Sequence, residues 1–335
     1  MDRIKIGVIG VGNMGKNHVR LTTEMNSVFD LVGVYDVNPE KVRSTGYKGV
    51  VFDDPTKLMD ASDAVIIAAP SSLHKDLAIK AAKHDVHLLV EKPLGLSKRE
   101  SDEILKAYHN NNKVLMVGHV ERFNPVIIEL EKILENENII AVTIERCSPK
   151  DIRISDTDVI SDLMIHDVDI LVNALNPNVN IVKRFSLGRT VYSNKYIDYA
   201  QTLLEFDNGV LASVTASRTT EDKIRMIKLH CKESFIYADL LNKTITISSK
   251  TRYKLDTGYN PSYRQENMIE RVFVPNTESL KNELIHFANC ITSGESCKTD
   301  GRSAAKSLML LDQIRDDILR HDDIKSLTVA SLSQN

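Results

Sequence analysis

Ile4-Lys5-Ile6-Gly7-Val8-Ile9, running directly into Gly10-Val11-Gly12-Asn13-Met14-Gly15, decides how the rest of the chain is read. The first six residues form a short β-branched strand, and the next six match Gly-x-Gly-x-x-Gly where a strand hands over to a helix. Met14 to Met25 then carries apolar residues at helical spacing. In that setting Gly10 permits the tight turn, Gly12 lets backbone approach a pyrophosphate, and Gly15 lets helix and strand pack closely. Amides at the helix start, around Asn13 and Met14, would face the phosphates. The plainer alternative is a βα turn that binds nothing.

Outward from this unit the pattern repeats. Leu31 to Tyr35, Ala64 to Ala68, His87 to Val90 and Val114 to Val117 read as strands, separated by helical stretches such as His74 to Lys83 and Ser97 to His109. This alternation predicts an α/β fold with a doubly wound parallel sheet of Rossmann type. Ser97 with Glu100 reads as a capping box. After Gly118 the pattern changes: strand-like runs from about Phe185 to Val274 predict a large open antiparallel sheet. Asp207-Asn208-Gly209 is a hairpin signal within it. Val159 to Leu175 has a helical pattern, as do the closing stretches Leu280 to Ile291 and Ser303 to Leu319. The expected domains are 1–120, for a dinucleotide, and 121–335, α/β, for substrate and oligomerisation, with helices in 280–320 free to pack on either.

The chain has 335 residues, enough for two domains, and its 43 basic and 46 acidic residues give a net charge of −3. Nothing global draws it to nucleic acid or an anionic membrane. Cys147, Cys231, Cys290 and Cys297 form no Cys-x-x-Cys pair, which argues against a zinc ribbon or disulfide framework and for a reduced, cytoplasmic protein. No signal core or membrane-length apolar run is present.

Asp36 ends the second strand, 21 residues after Gly15, where a carboxylate accepts bonds from the ribose hydroxyls of NAD and repels a 2′-phosphate. Val37 and Asn38 provide no cation for such a phosphate, so NAD is expected over NADP. Asp36 also serves as a turn residue before Asn38-Pro39. The small residues Ala69, Pro70 and Ser71, with His74, follow a strand end where the nicotinamide half should run, or else form only a loop and cap. Val90-Glu91-Lys92-Pro93 places a lysine at the next strand tip, and Pro93 biases Lys92 toward extended backbone. Lys92 is thus poised to meet cofactor and substrate, or is a solvated loop lysine.

Asp162 and His166 lie four apart on a helix and share a face, so the carboxylate can orient the imidazole. Oxidising an alcohol requires removal of its hydroxyl proton as hydride leaves, a task for His166 or a lysine of lowered pKa. An ordinary surface pair would look the same. Asp167 and Asp169 either bind hydroxyls or face water. A metal held by Asp162, His166 and His119 lacks a dedicated further ligand, and none is expected. His119 follows the last parallel strand at a cleft position, while nearby Arg122 either grips a phosphate or pairs with Glu121. Arg146, Lys150 and Arg153 are the basic group best suited to a substrate diphosphate, or else a solvated loop.

Taken together, Gly10-x-Gly12-x-x-Gly15, Ala69-Pro70 with His74, Glu91-Lys92-Pro93 and Asp162-x-x-x-His166 resemble the Gfo/Idh/MocA oxidoreductases over nearly the whole chain. The resemblance implies catalysis by Lys92, with Asp162 and His166 as the other half of the active site, and a homodimer or homotetramer built through the C-terminal sheet. Val117 to Pro125 and Asp162 to Ile170 look most like the members that oxidise the C3 hydroxyl of UDP-N-acetylglucosamine with NAD. An inositol or free-sugar dehydrogenase is the alternative, and a catalytically silent NAD-binding regulator a further one. Asp158 and Ser161 depart from the small or apolar residues expected before the aspartate.

Overall fold

The computed structural model describes residues 3–109, 111–150, 157–192, 195–249, 252–256, 262–266 and 268–320. The chain divides into two compact units, one of residues 1–123 and 277–309, the other of 124–276 and 310–335.

The first unit is built on β1 (Ile4–Ile9), β2 (Phe29–Tyr35), β3 (Ala64–Ile67), β4 (His87–Glu91) and β5 (Leu115–Gly118), in the order β2-β1-β3-β4-β5 with every pair parallel. Each strand is a run of apolar residues because helices cover both faces. Val19, Leu21, Leu284 and Phe287 pack on one face, and Leu77, Ala78, Ile104 and Tyr108 on the other. Ser97 caps helix Lys98–Tyr108 by accepting from the Glu100 amide. The Glu100 carboxylate reaches back to the Leu96 amide, one residue before the expected capping-box partner. The helix Ser279–Thr292 belongs to this unit although it is remote in sequence.

The second unit carries an eight-stranded sheet, which begins in sequence with β6 (Ile139–Cys147). β7 (Ile181–Arg189), β8 (Tyr199–Phe206), β9 (Leu211–Ser217), β10 (Ile224–Cys231), β11 (Ser234–Asp239) and β12 (Thr244–Ser249) follow. β13 (Arg252–Asp256) and β14 (Ser262–Glu266) form a separate two-stranded ladder, and β15 (Ile269–Val272) returns to the sheet's edge. The order is β15-β12-β11-β10-β6-β9-β8-β7. It is mostly antiparallel, as expected, with one parallel pair because β6 inserts between β10 and β9 and runs parallel to β9. The β8–β9 hairpin turns as expected at Asp207-Asn208-Gly209, where Gly209 has φ +83°.

One face of this sheet buries Ala200, Leu204, Phe206, Val214 and Ile227 against helix Pro125–Leu134, the segment 160–175 and residues 310–318 of the last helix. The other face leaves Phe185, Leu187 and Leu203 about half exposed, with Phe185 directly opposite Leu203. The helical segment is not uniform. Residues Ile160–Met164 and Leu171–Leu175 are π-helical, flanking an α-helical turn at Ile165–Ile170. Among the described residues no helix is long and apolar enough to cross a membrane.

Candidate active site

At the carboxyl ends of β1, β3 and β4 a cavity of about 300 Å³ is lined by Gly10, Gly12, Met14, Asp36, Lys41, Ala68, Ala69, Pro70, Ser71, His74, Glu91 and Lys92. Ligands of open parallel sheets bind in this position. The three glycines differ physically. Gly10 has φ +87° and a side chain there would collide with the Ala68–Ala69 backbone, while a Cβ on Gly15 would stand 1.9 Å from the Gly10 carbonyl oxygen. A Cβ on Gly12 would meet nothing within 4 Å. Gly10 and Gly15 are therefore needed to fold the loop, and Gly12 keeps space clear for a ligand. Gly12→Ala should leave thermal unfolding in the absence of ligand unchanged and weaken NADH binding at least about tenfold, or ~1.4 kcal/mol. Calorimetric titration checks this, and wild-type affinity would remove the phosphate role from Gly12.

Asp36 is half-buried and receives two backbone bonds, from the Val11 and Asn38 amides, each 2.8 Å. It thereby ties the glycine loop to the end of β2 while remaining on the cavity wall. Lys41, which the sequence reading passed over, also lines this cavity and a contiguous one of about 360 Å³ walled by Tyr35, Val37, Pro55, Leu73 and Leu77. Its only sequence signal was its place in the short helix Pro39–Ser44 that follows Asp36. Asn13 and Gly15 do not line the first cavity; Asn13 is exposed, and its carbonyl accepts from Asn17.

His74 is buried, with Nδ1 2.7 Å from the Pro93 carbonyl and Nε2 3.0 Å from the Ala69 carbonyl. It ties the turn after β3 to the Lys92-Pro93 turn after β4. The Lys92–Pro93 peptide is cis. Glu91 is buried beside His18, with Oε1 2.8 Å from His18 Nε2. His119 and Arg122 are buried in the same unit, 2% and 4% exposed, so the structure holds neither as a free surface cation.

Behind this wall lies Glu283, fully buried on helix Ser279–Thr292 with no protein hydrogen-bond partner for either carboxylate oxygen. Burial, and then repulsion from Glu91, hold its pKa well above the ordinary value. The folded protein therefore keeps the proton at pH values where the unfolded chain, titrating near ~4.3, has lost it. Stability falls as pH rises from there through the raised folded value. Glu283→Gln, which mimics the protonated acid, should raise the unfolding temperature at pH 8 by at least about 3 °C. The gain should vanish near pH 4; parallel pH profiles of variant and wild type would refute it.

In the second unit Asp162 lies in the π-helical turn and His166 in the following α-turn, both partly exposed, while Met164 and Ile165 are buried in the core. The Ile165 amide bonds to the Ile160 carbonyl, five residues back. Such π-turns are frequent at functional sites. Asp158 and Ser161 explain their own departure from the expected pattern. Asp158 accepts from the Ser161 amide at 2.8 Å, and Arg315 donates to Asp158 at 3.0 Å and to Ser161 Oγ at 2.6 Å. Burial would raise the Asp158 pKa, but Arg315 and Ser161 outweigh it and hold the carboxyl below its usual range. The two residues anchor the start of the segment that carries Asp162.

Arg218, also missed, is 6% exposed, with Nη2 3.8 Å from Asp162 Oδ2 and Nε 3.9 Å from Asp198 Oδ1. A lone arginine after a strand gave no signal. Arg146 does not join Lys150 and Arg153 as a solvent-facing basic group. Arg146 is 2% exposed, and its Nε donates to both oxygens of Asp167, at 2.9 and 3.0 Å. Its alternating position on β6 turns it into the core. Asp167 and Asp169 are likewise buried and do not face bulk water, Asp169 accepting from Asn173. Lys150 is exposed and lies over the Tyr192 ring at 4.2 Å. Arg153 lies outside the described residues.

Residues 4–119 match an oxidoreductase family's NAD-binding Rossmann fold, and residues 146–236 match the Gfo/Idh/MocA C-terminal domain. The chain belongs to the Gfo/Idh/MocA family. It is 29% identical over 320 residues to UDP-N-acetylglucosamine 3-dehydrogenase of Acidithiobacillus ferrooxidans, covering 94% of this chain and 97% of that one. The solved structure of that enzyme superposes with a TM-score of 0.84 at 28% identity, over 95% and 98% of the two chains. Identity to scyllo-inositol 2-dehydrogenase (NAD(+)) of Bacillus subtilis is 26%, over 88% of each. A levoglucosan dehydrogenase in complex with NADH shares the fold, with a TM-score of 0.80 at 19% identity, over 95% and 98% of the two chains. The cofactor of this family member is NAD, and the open space at Gly12 beside the glycine loop fits its pyrophosphate. The family acts on sugars and polyols as a dehydrogenase.

Proposed function

We propose that this chain is an NAD-dependent dehydrogenase of a sugar nucleotide, oxidising the C3 hydroxyl of UDP-N-acetylglucosamine to a ketone. The observation that carries the reading is full-length similarity to an enzyme of that name, combined with a lysine on the wall of the NAD cavity. Gly10, Gly12 and the start of helix Gly15–Glu24 would hold the pyrophosphate. Asp36 would hold the adenosine ribose, with Val37 and Leu73 against the adenine. NAD, when bound, supplies the hydride acceptor. Lys92 Nζ would take the proton of the substrate hydroxyl, held in place by the His74 brace on Pro93. His166 would act as acid/base or bind a hydroxyl, and Asp162, steadied by Arg218, would orient both substrate and imidazole. The acidic Asp36 favours NAD over NADP despite Lys41, and tighter binding of NADPH than NADH would overturn that preference.

A second reading, a dehydrogenase of inositol or an unphosphorylated sugar, is favoured by the burial of Arg146, which leaves Lys150 as the described member of the expected diphosphate group. NADH formation across UDP-N-acetylglucosamine, free sugars and inositols separates the two. Turnover of inositol or glucose without turnover of the UDP-sugar would replace the first reading by the second. The half-exposed apolar face around Phe185 and Leu203 supports a homo-oligomer through this sheet. Leu203→Glu should lower the mass measured by light scattering, and a monomeric wild type would exclude the interface.

A further inference from the structure

The second half of helix Ser279–Thr292 carries His286 and Cys290, one turn apart on the same face, and the strap that follows brings Cys297 back to them. The imidazole nitrogen and the two sulfurs lie within 4.8 Å of one another, with His286 Nε2 3.4 Å from Cys290 Sγ. The edges of a tetrahedral zinc site with nitrogen and sulfur ligands are about 3.3–3.8 Å, so the group needs only a small contraction to close on an ion. The histidine is already in the ligating form. The Lys298 amide donates to Nε2 at 2.9 Å, so Nε2 is the unprotonated nitrogen and that amide holds its lone pair, while Nδ1 is left to donate to Glu295 Oε1 at 3.1 Å. A carboxylate behind a histidine in this way fixes the ring and raises its basicity toward a metal. Phe123, with its ring centroid 5.3 Å from that of His286, holds the imidazole from the side. His286 and Cys290 are 7% and 5% exposed, and Cys297 is more open.

We propose that His286, Cys290 and Cys297 bind one zinc-type divalent cation, with Glu295 as the carboxylate partner of the histidine. On binding, the Lys298 amide yields Nε2 to the ion and both thiols lose their protons. The ion joins the end of the helix to the strap, and the strap lies along β5: the Val117 amide bonds to the Thr299 carbonyl at 2.8 Å and Met116 pairs with Asp300. The site would therefore clamp the cover over the open edge of the parallel sheet, next to the strand end that leads to Gly118 and His119. The lack of a Cys-x-x-Cys pair argued only against a zinc ribbon; the return of the strap is what unites His286 with Cys290 and Cys297.

The test uses the full-length protein, kept reduced, freed of metal with a chelator and titrated with cobalt(II). The expected result is one equivalent bound per chain, with a sulfur-to-cobalt charge-transfer band, tetrahedral visible bands and displacement by zinc. Cys290→Ser and Cys297→Ser should each reduce the charge-transfer band and weaken binding at least tenfold. Glu295→Gln should weaken binding about 10–100-fold with the band retained. Cys147→Ser should bind as wild type. Cys297 and Glu295 are the more exposed pair, so their variants keep the test open if Cys290→Ser does not fold. The proposal fails if no equivalent is retained, if the band keeps its full intensity after loss of either cysteine, or if the reduced protein binds no ion and oxidation merely joins Cys290 to Cys297.

Discussion

Alanine at position 92 should lower turnover by about 10²–10⁴-fold while NADH affinity stays close to that of the wild type. The expectation rests on two observations. Lys92 is on the wall of the cavity that holds the glycine loop, Asp36 and Ser71, yet the folded loop does not depend on it: Gly10 and Gly15 are confined by backbone, and Val11 is bound by Asp36. Deleting the amine therefore removes a proton acceptor without removing the cofactor's seat. Turnover is measured as NADH formation with the sugar that the wild type oxidises, and affinity by NADH fluorescence. Lys92→Arg should be similarly slow, since a guanidinium keeps its proton near neutrality. Wild-type turnover in Lys92→Ala would deny the residue its role. A loss confined to NADH affinity would reassign it to cofactor binding. His74→Phe provides an independent check, because it removes the bonds to Ala69 and Pro93 and should slow turnover without touching the ammonium itself.

The second large effect is on stability. Asp167→Ala removes the carboxylate that receives Arg146 Nε in the core of the second unit, leaving a guanidinium 2% exposed without that counter-charge. Breaking a buried pair from one side costs about 3–5 kcal/mol. That is a large fraction of an ordinary domain's stability, and the variant should unfold at lower denaturant or accumulate as insoluble protein. Replacing both partners, as Arg146→Met with Asp167→Leu, should recover much of the loss, because no charge is then stranded. A double variant as unstable as Asp167→Ala would mean that the pair is needed for its polarity. Asp167 adjoins His166 in the chain, so the same comparison reports whether this ion pair also sets the imidazole's position: a stable double variant with reduced turnover would show that it does.

Much of the first unit was legible because its information is local. A strand buried on both faces is an unbroken apolar run, a glycine loop must come directly between strand and helix, and Asp36 must follow a fixed distance later. These periods and spacings occur within about thirty residues and do not depend on what packs against them. The cavity accordingly collects Gly10, Gly12, Met14, Asp36, Ala69, Pro70, Ser71, His74, Glu91 and Lys92, as the sequence suggested. The Asp207-Asn208-Gly209 hairpin was readable for the same reason, since a two-strand turn carries its own conformational demand.

What the tertiary structure decided was which distant segments meet. β6 alternates like other strands, but nothing in its residues says that it inserts between β10 and β9 and runs parallel to one of them. That insertion turns Arg146 inward to Asp167 and removes it from the basic group to which its charge had assigned it. Glu283 meets Glu91 in the first unit, and Arg218 meets Asp162 in the second, only through elements remote in sequence, and His286, Cys290 and Cys297 converge because a strap returns to the end of its helix. The physical reason is common to all of them. Alternation and helical period record which face of an element is buried, whereas the partner on that face is chosen by packing across the whole unit, and a charge or thiol takes its chemistry from that partner.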